Sequence, residues 1–199
     1  SVIVRQTGDL RRIVDEFSKF ARMPSPELRE LDLVELVKGA VLLQRNAQVG
    51  VRIETQIDIP QAMVDVDGTM IGQALTNLIK NAGEAIESLD ENGLPDGYDP
   101  RIRVVVFEDD GQVVVTITDN GVGLPKDRAR LFEPYVTTRD KGTGLGLPIV
   151  KKIIDEHGGT LVLSDGEPLD ASNRIGACAT MRLDLAVPKI NQVNQKLAV

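Results

Sequence analysis

The spacing of apolar residues predicts four amphipathic helices, because apolar side chains recur every three or four positions in four separate stretches. An aspartate stands at the expected start of two of them, at Asp32 and Asp67, where its side chain can accept from free backbone N–H groups. The last helix is expected to stop at Gly158. The predicted helices cover residues 3–21, 32–50, 67–86 and 144–157.

Short runs of β-branched and alternating residues predict strands between these helices. A charged turn over residues 108–111 joins two of the runs, which favours a hairpin. Hairpins with helices between them favour an α+β fold, a two-layer α/β sandwich in which helices cover one face of a mixed sheet. The predicted strands cover residues 51–59, 62–66, 102–107, 113–118, 160–163 and 177–185.

The first helix stands apart from this sandwich. It has an apolar stripe but no core of its own, so it needs a second helix from elsewhere to bury that stripe. Pro24 and Pro26 exclude its continuation and predict a linker. The expected parts are a helical segment over 1–23, a linker over 24–31, a folded domain over 32–187 and a polar tail over 188–199.

Composition narrows the function classes. The formal net charge of -7 argues against a nucleic-acid-binding protein, which would carry a basic face. The 42% of hydrophobic residues suffices for a core, yet no apolar run is long enough to span a bilayer, so no membrane contact is expected of this stretch. The single cysteine, Cys178, is expected to be buried in a reducing compartment, which favours the cytoplasm.

The third helix carries candidate chemistry on its polar face. Asn77 and Asn81 are four residues apart, so their carboxamides lie one turn apart and point the same way. Carboxamide oxygens can ligate a hard cation such as Mg²⁺ that already bridges phosphates, and Lys80 can place positive charge beside those phosphates. A solvated polar face is the alternative explanation, and Glu84 is expected to pair with Lys80.

Two glycine-containing motifs follow this helix. Residues 119–123, DNGVG, end a predicted strand, where the Asp119 carboxylate can accept a hydrogen bond from an exocyclic amine. Gly121 and Gly123 permit a ligand to approach the backbone, although Asn-Gly is also an ordinary turn signal. Residues 142–146, GTGLG, precede a helix whose free amides can hold a triphosphate. A dinucleotide site is excluded because no predicted strand directly precedes these glycines, and a P-loop is excluded because no Lys followed by Ser or Thr comes after them.

The motifs, taken in order and spacing, resemble those of the sensor histidine kinases over about residues 31–185. The sequences FARMP and EPYVTT most resemble nitrogen-regulation sensors of the NtrY type. The resemblance implies the ATP-binding fold shared with gyrase-type ATPases, Hsp90-type chaperones and MutL-type repair proteins. The matching motifs are the N box at 77–81, the first glycine box at 119–123, the F box at 132–135 and the second glycine box at 142–146.

The same resemblance implies a site for ATP and Mg²⁺. Asp119 would read the adenine amino group, Asn81 would hold Mg²⁺, and Thr180 would lie near the adenine. Arg139 and Lys141 would steady the γ-phosphate, with a solvated charged loop as their alternative. The implied cofactor-binding set is Asn77, Lys80, Asn81, Asp119, Gly121, Gly123, Thr138, Arg139, Lys141, Gly142, Thr143, Gly144, Leu145, Gly146, Leu147 and Thr180.

A protein histidine kinase is the activity that this resemblance implies. Asn77 stands where gyrase-type and chaperone ATPases carry a glutamate that activates water, so hydrolysis should be slow and ATP should wait for a protein nucleophile. Residues 1–23 would be the second helix of the hairpin that forms the homodimer and carries the phosphoacceptor. That histidine would lie outside this sequence, and the phosphate would pass on to the receiver domain of a response regulator.

Two residue groups have expected structural roles. His157, the sole histidine, is expected to cap a helix end rather than to act as the phosphoacceptor. Phe132 and Tyr135 are expected to dock a covering loop, over residues 126–140, on the domain.

Two other functions stay open at the level of sequence. A protein-serine kinase of the anti-sigma type shares the fold but usually lacks a bundle helix, so the apolar stripe over residues 3–21 counts against it. A nucleotide-binding or dimerising signalling module without turnover is the second alternative. A separately expressed acceptor helix that gains phosphohistidine from this chain would separate the three.

Overall fold

The computed structural model describes residues 23–89, 94–136 and 144–187, so the predicted first helix and the polar tail lie outside the described residues. The described residues form three helices and seven strands. The helices are α1 (Leu33–Ala47), α2 (Gly68–Glu87) and α3 (Gly146–Glu156). The strands are β1 (Arg29–Asp32), β2 (Arg52–Ile57), β3 (Met63–Val66), β4 (Arg101–Asp109), β5 (Gln112–Asp119), β6 (Thr160–Asp165) and β7 (Ala177–Asp184).

Five of the strands form one mixed sheet in the order β2-β4-β5-β7-β6. Strands β2 and β4 are parallel, and the other neighbours are antiparallel. Strands β4 and β5 make the predicted hairpin, in which Ile102 lies opposite Asp119. Strands β1 and β3 form a separate antiparallel pair. The mixed sheet predicted from the sequence is confirmed.

One face of this sheet shares a hydrophobic core with the helices. Alternate residues of β5, such as Val115 and Ile117, belong to the core, and so do Leu75 and Ile79 from the apolar stripe of α2. The strand period of two and the helix period of 3.6 thus bring their apolar sides together, which confirms the two-layer α+β prediction. Of the three described helices, none combines the length and apolar character that crossing a bilayer requires.

The predicted linker over residues 24–31 is wrong at its end. Arg29–Asp32 forms β1, which pairs with β3 so that Arg29 lies opposite Val66. Met23 also packs against the core. No strand signal is visible in this stretch of sequence, because the first two residues of β1 are exposed and the other two are only partly buried. The domain therefore begins before residue 32.

Aspartates cap α1 and α2, as predicted. Asp32 Oδ1 accepts from Val34 N at 3.0 Å. Asp67 Oδ1 accepts from Thr69 N at 3.0 Å and from Met70 N at 3.1 Å. These bonds satisfy N–H groups that the first turn of a helix leaves without a partner.

His157 joins the end of α3 to the start of α2. Asp67 N donates to His157 Nε2 at 3.0 Å, so the proton of the neutral ring is assigned to Nδ1. Nδ1 then donates to Ile153 O at 2.7 Å. The expected position of His157 at a helix end is confirmed. Its ring acts there through two hydrogen bonds of a neutral imidazole rather than through charge on the helix dipole.

Gln48, the residue after α1, holds that helix against α2. Its Nε2 donates to Gln44 Oε1 at 2.9 Å and to Ile79 O at 3.1 Å. Its Oε1 is buried without a hydrogen-bond partner among the described residues. A Cβ at Gly83 would lie 2.0 Å from Gln48 Oε1. The glycine inside α2 therefore makes room for this amide.

Replacement of Asp67 tests the junction at the start of α2. The hydrogen bond from Met70 N outweighs burial and, with those from Glu27 N and Thr69 N, holds the pKa of Asp67 below its usual range. We expect Asp67→Ala to lower the free energy of unfolding by about 1 kcal/mol at neutral pH, measured by urea denaturation. Because the folded pKa is lowered, this advantage of the wild type is present above the unfolded pKa and is lost as the pH falls through the folded pKa.

Asp67→Asn is the matched control for that measurement. Its amide oxygen still accepts from the first turn but does not titrate, so its advantage over Asp67→Ala should not change with pH. Equal stability of Asp67→Ala and wild type at neutral pH would show that the cap contributes nothing.

Replacement of Gly83 tests the packing of α1 on α2. Alanine is about 1 kcal/mol more favourable than glycine in an exposed helix interior. We expect Gly83→Ala to destabilise this protein instead, by about 1 to 3 kcal/mol in urea denaturation, because the new methyl group collides with the Gln48 amide. In a Gln48→Ala background the same substitution should become neutral or stabilising. The same loss in both backgrounds would contradict this explanation.

Candidate functional site

The polar stripe of α2 lies as predicted along one side of the helix. Asn77 and Asn81 are both partly buried, whereas Lys80 is exposed. Lys80 Nζ is 3.6 Å from Glu84 Oε1, which confirms the expected pair one turn apart. Both members of the pair are substantially exposed, so it contributes little to stability.

The second glycine motif meets α2 at Asn81. A Cβ placed on Gly146 would lie 3.7 Å from Asn81 Oδ1 and 3.8 Å from Asn81 Nδ2. The carboxamide of Asn81 therefore stands directly beside the first residue of α3. The sequence predicted that these two residues belong to one site, and the fold brings them together.

The first glycine motif meets the same helix at Ala85. A Cβ on Gly121 would lie 2.5 Å from Ala85 C, and Val122 N donates to Ala85 O at 3.1 Å. Gly121 is thus required for contact with the backbone of α2, whereas the sequence had suggested contact with a ligand. Gly123 has a φ of 75°, a conformation that favours glycine.

These two contacts fix the separation of the glycine motifs. Asn81 and Ala85 are four residues apart on one helix, which corresponds to a rise of about 6 Å. The end of β5 and the start of α3 therefore lie side by side along α2. This spacing can accommodate the base of a nucleotide at one motif and its phosphates at the other.

Asp119 lies at the end of β5 and is 4% exposed. Its Oδ1 accepts from Gly121 N at 2.8 Å and from Ala177 N at 3.3 Å. A Cβ on Gly176 would lie 2.1 Å from Asp119 O, so the residue just before β7 approaches this aspartate backbone to backbone. The buried carboxylate is held in one orientation by these contacts.

Asn120 has a structural role that sequence reasoning missed. It is 0% exposed, and its Nδ2 donates to Asp170 Oδ2 at 2.7 Å. Its Oδ1 accepts from Arg101 N at 2.9 Å and from Tyr98 OH at 3.4 Å. Burial raises the pKa of Tyr98 to about 12, so this hydroxyl stays protonated. A D-x-S turn signal at Asp170 was the available clue, but nothing in the sequence linked it to Asn120.

The start of α3 differs from the starts of α1 and α2. Its N-cap residue, Leu145, makes no side-chain hydrogen bond to the first turn. Leu145 is 0% exposed and Leu147 packs against the core, so the side chains of these two predicted cofactor residues point into the protein. Only their backbone can serve a ligand, and the N–H groups at the start of α3 suit an anion.

The covering loop is attached near the second glycine motif. Tyr135 N donates to Gly144 O at 3.1 Å, and Gly144 has a φ of 69°. Phe132 packs against the core as expected, whereas Tyr135 is 52% exposed. Five predicted site residues lie outside the described residues, namely Thr138, Arg139, Lys141, Gly142 and Thr143.

Thr180 is a predicted site residue that the fold separates from Asp119. It lies opposite Thr116, whereas Ala179 lies opposite Ile117. Since side chains alternate along a strand, Thr180 is on the other face of the sheet from Asp119. The β7 end near Asp119 is formed by Gly176 and Ala177 instead. Cys178, expected to be buried, shares the face of Thr180 and is only partly buried.

No group of three or more His, Cys, Asp or Glu side chains with metal-binding geometry occurs within residues 23–89, 94–136 and 144–187. The predicted Mg²⁺ ligand is an amide, Asn81, which would share the ion with phosphate oxygens. Its place beside the start of α3 fits that arrangement, because the phosphates and the ion would meet at one point.

Comparison with known proteins agrees with this geometry. A family model for the histidine kinase-, DNA gyrase B- and HSP90-like ATPases matches residues 66–187. The nitrogen regulation protein NtrY of Azorhizobium caulinodans is 48% identical over 165 residues, which make up 82% of this chain and 21% of that protein. The chain thus spans about a fifth of the length of that relative.

Two solved structures share the fold and part of the sequence. Full-length ShkA in complex with AMPPNP is 25% identical with a TM-score of 0.71, over 94% of this chain and 38% of that chain. Histidine kinase ThkA in complex with the response regulator protein TrrA is 26% identical with a TM-score of 0.69, over 93% of this chain and 50% of that chain. Because the family model covers more than half of its length, this chain belongs to the histidine kinase-, DNA gyrase B- and HSP90-like ATPase family.

Proposed function

We propose that this chain binds Mg-ATP and transfers its γ-phosphoryl group to a histidine outside this sequence, for relay to a response regulator. The observation that carries the proposal is the convergence of both glycine motifs on α2, at Asn81 and Ala85. Family membership supplies the ATPase fold. A cytoplasmic location is part of the proposal, because ATP is the phosphoryl donor.

The nucleotide would lie along α2. Its adenine would stand at Asp119, where the buried carboxylate accepts from the exocyclic amine. Its phosphates would stand at the start of α3, where backbone N–H groups have no side-chain cap and Asn81 is adjacent. Mg²⁺ would offset phosphate charge there, with Asn81 as its protein ligand and Asn77 and Lys80 beside it. The glycine loop residues Gly142 and Gly144, together with Thr138, Arg139, Lys141 and Thr143, complete the proposed site.

Residue 77 favours transfer to a protein over transfer to water. An asparagine side chain has no lone pair basic enough to take a proton from water, so the site lacks a general base at this position. Phosphoryl transfer then depends on positioning and on stabilisation of charge, and the nucleophile must come from a partner. This argument supports a kinase over a hydrolase.

The relatives support two proposed partners of the whole protein. ThkA was solved in complex with the response regulator protein TrrA, which supports a receiver domain as the final acceptor here. We also propose a homodimer through the helix predicted over residues 3–21. A serine kinase of the anti-sigma type and a module without turnover stay as alternatives, and the identity to NtrY favours neither.

Replacement of Asn81 tests the metal site. We expect Asn81→Ala to weaken ATP binding at least about tenfold when Mg²⁺ is present, because a ligand to a charged group is lost. In the presence of EDTA the two proteins should bind ATP alike. Calorimetric titration measures both values.

Gln73→Ala is the matched control for Asn81→Ala, since Gln73 is an exposed amide on the same helix. It should bind ATP like the wild type under both conditions. Undiminished affinity of Asn81→Ala in Mg²⁺ would remove the metal role from this residue, and no binding by the wild type would remove the proposed function.

Phosphoryl transfer itself can be tested with γ-labelled ATP and a separately expressed acceptor-helix hairpin. We expect acid-labile, base-stable label on the acceptor histidine and none on the chain itself. His157 should stay unlabelled because both of its ring nitrogens are engaged with backbone. Acid-stable label on a serine would support the anti-sigma-type kinase, and label on His157 would contradict the assigned role of that residue.

A further inference from the structure

The loop between β6 and β7, residues 166–176, contacts each residue of the turn formed by residues 119–121. Gly176 packs on Asp119 so closely that a Cβ would lie 2.1 Å from its carbonyl oxygen. Arg174 Nε donates to Gly121 O at 3.0 Å. The middle residue of the turn, Asn120, is bound by Asp170. The loop therefore holds all three residues of the turn in place.

Asp170 accepts four hydrogen bonds in this region of the loop. Its Oδ2 accepts from Asn120 Nδ2 at 2.7 Å and from Asp99 N at 2.9 Å. Its Oδ1 accepts from Ser172 N at 2.9 Å and also from the Ser172 hydroxyl. Burial raises the pKa of Asp170, but the hydrogen bonds from Asp99, Ser172 and Asn120 outweigh it and hold the pKa below its usual range. Both oxygens face donors, so an amide cannot replace this carboxylate.

Asn120 links Asp170 to Asp119, because its side chain is bound by Asp170 and its backbone directly follows Asp119. Its side chain is completely buried, and its Nδ2 also donates to Asp99 O at 2.8 Å. Its backbone N donates to Arg101 O at 3.3 Å. Asn120 is therefore held from the start of β4 on one side and from Asp170 on the other. A movement of Asp170 must displace the residue that directly follows Asp119.

We propose that Asp170 is a positioning residue that sets the preference of this site for 6-aminopurine nucleotides. The inference rests on the proposed function, in which Asp119 accepts from the adenine amine. Discrimination between adenine and guanine depends on one buried acceptor being correctly placed, because the wrong base leaves it unpaired. Asp170 fixes that acceptor through Asn120 while making no contact with the nucleotide itself.

A purely structural role for Asp170 makes a different prediction. Loss of folded protein would lower the apparent affinity for ATP and GTP by the same factor, so their ratio would stay constant. A displaced acceptor lowers the affinity for ATP far more than that for GTP. The ratio of the two affinities is therefore the quantity to measure.

The experiment compares wild type, Asp119→Asn, Asp170→Asn and the double variant by calorimetric titration with Mg-ATP and Mg-GTP, with urea denaturation alongside. We expect wild type to prefer ATP, and Asp170→Asn to lower the ATP to GTP affinity ratio at least tenfold, on the order of one lost buried hydrogen bond. The double variant should lose no more than Asp119→Asn alone, since both substitutions act on one acceptor. Glu167→Gln, an exposed carboxylate in the same loop, is the control and should leave the ratio unchanged.

Ser172→Ala provides a milder test should Asp170→Asn fail to fold. It removes one donor to Asp170 and should lower the same ratio by a smaller factor while the protein stays folded. An unchanged ratio in every folded variant at Asp170 and Ser172, with the ratio lost in Asp119→Asn, overturns the inference and leaves the proposed function standing. Absence of ATP binding by the wild type overturns the proposed function itself.

Discussion

Close backbone packing against one helix is the constraint on which the rest of this structure depends. Gly121 sits on the backbone of α2 at Ala85, and Gly146 sits beside the side chain of Asn81 one turn earlier. The approach at Gly121 has no room for a Cβ, which would lie 2.5 Å from Ala85 C, whereas Gly146 is in ordinary contact with Asn81. The two motifs therefore keep their separation along α2 as long as the core holds the helix. The apolar stripe of α2 is buried against the sheet. One side of this helix therefore packs in the core, while its opposite side carries the polar residues of the candidate site.

The N-termini of the three described helices are capped differently, which separates a role in stability from a role in binding. Asp32 and Asp67 satisfy the first N–H groups of α1 and α2 internally, so these ends contribute to the fold. The start of α3 has no such side chain, and Leu145 is turned into the core instead. Its N–H groups are left for a ligand of opposite charge.

Sequence predicted most of the architecture, because local signals and tertiary packing agreed. The caps at Asp32 and Asp67, the β4–β5 hairpin and the end of α3 all depended on short-range chemistry. The errors arose where long-range contacts decide. Arg29–Asp32 pairs as a strand although its residues are mostly polar, and Thr180 lies on the wrong face of the sheet because strand phase cannot be read from an isolated motif. Gly121 was predicted to contact a ligand, whereas the structure shows its contact with the backbone at Ala85, and the hydrogen bond between Asn120 and Asp170 spans 50 residues.

The hydrogen bonds of His157 limit what its imidazole ring can do. Each ring nitrogen is committed to a main-chain group, one at Asp67 and one at Ile153. The imidazole would have to break these hydrogen bonds between α2 and α3 before either nitrogen could attack a phosphoryl group. In this conformation the sole histidine of the chain is therefore not available as a phosphoacceptor. Under the proposed function, the acceptor histidine must then be brought to this domain from outside the sequence, so the rate of transfer would depend on how often the two meet.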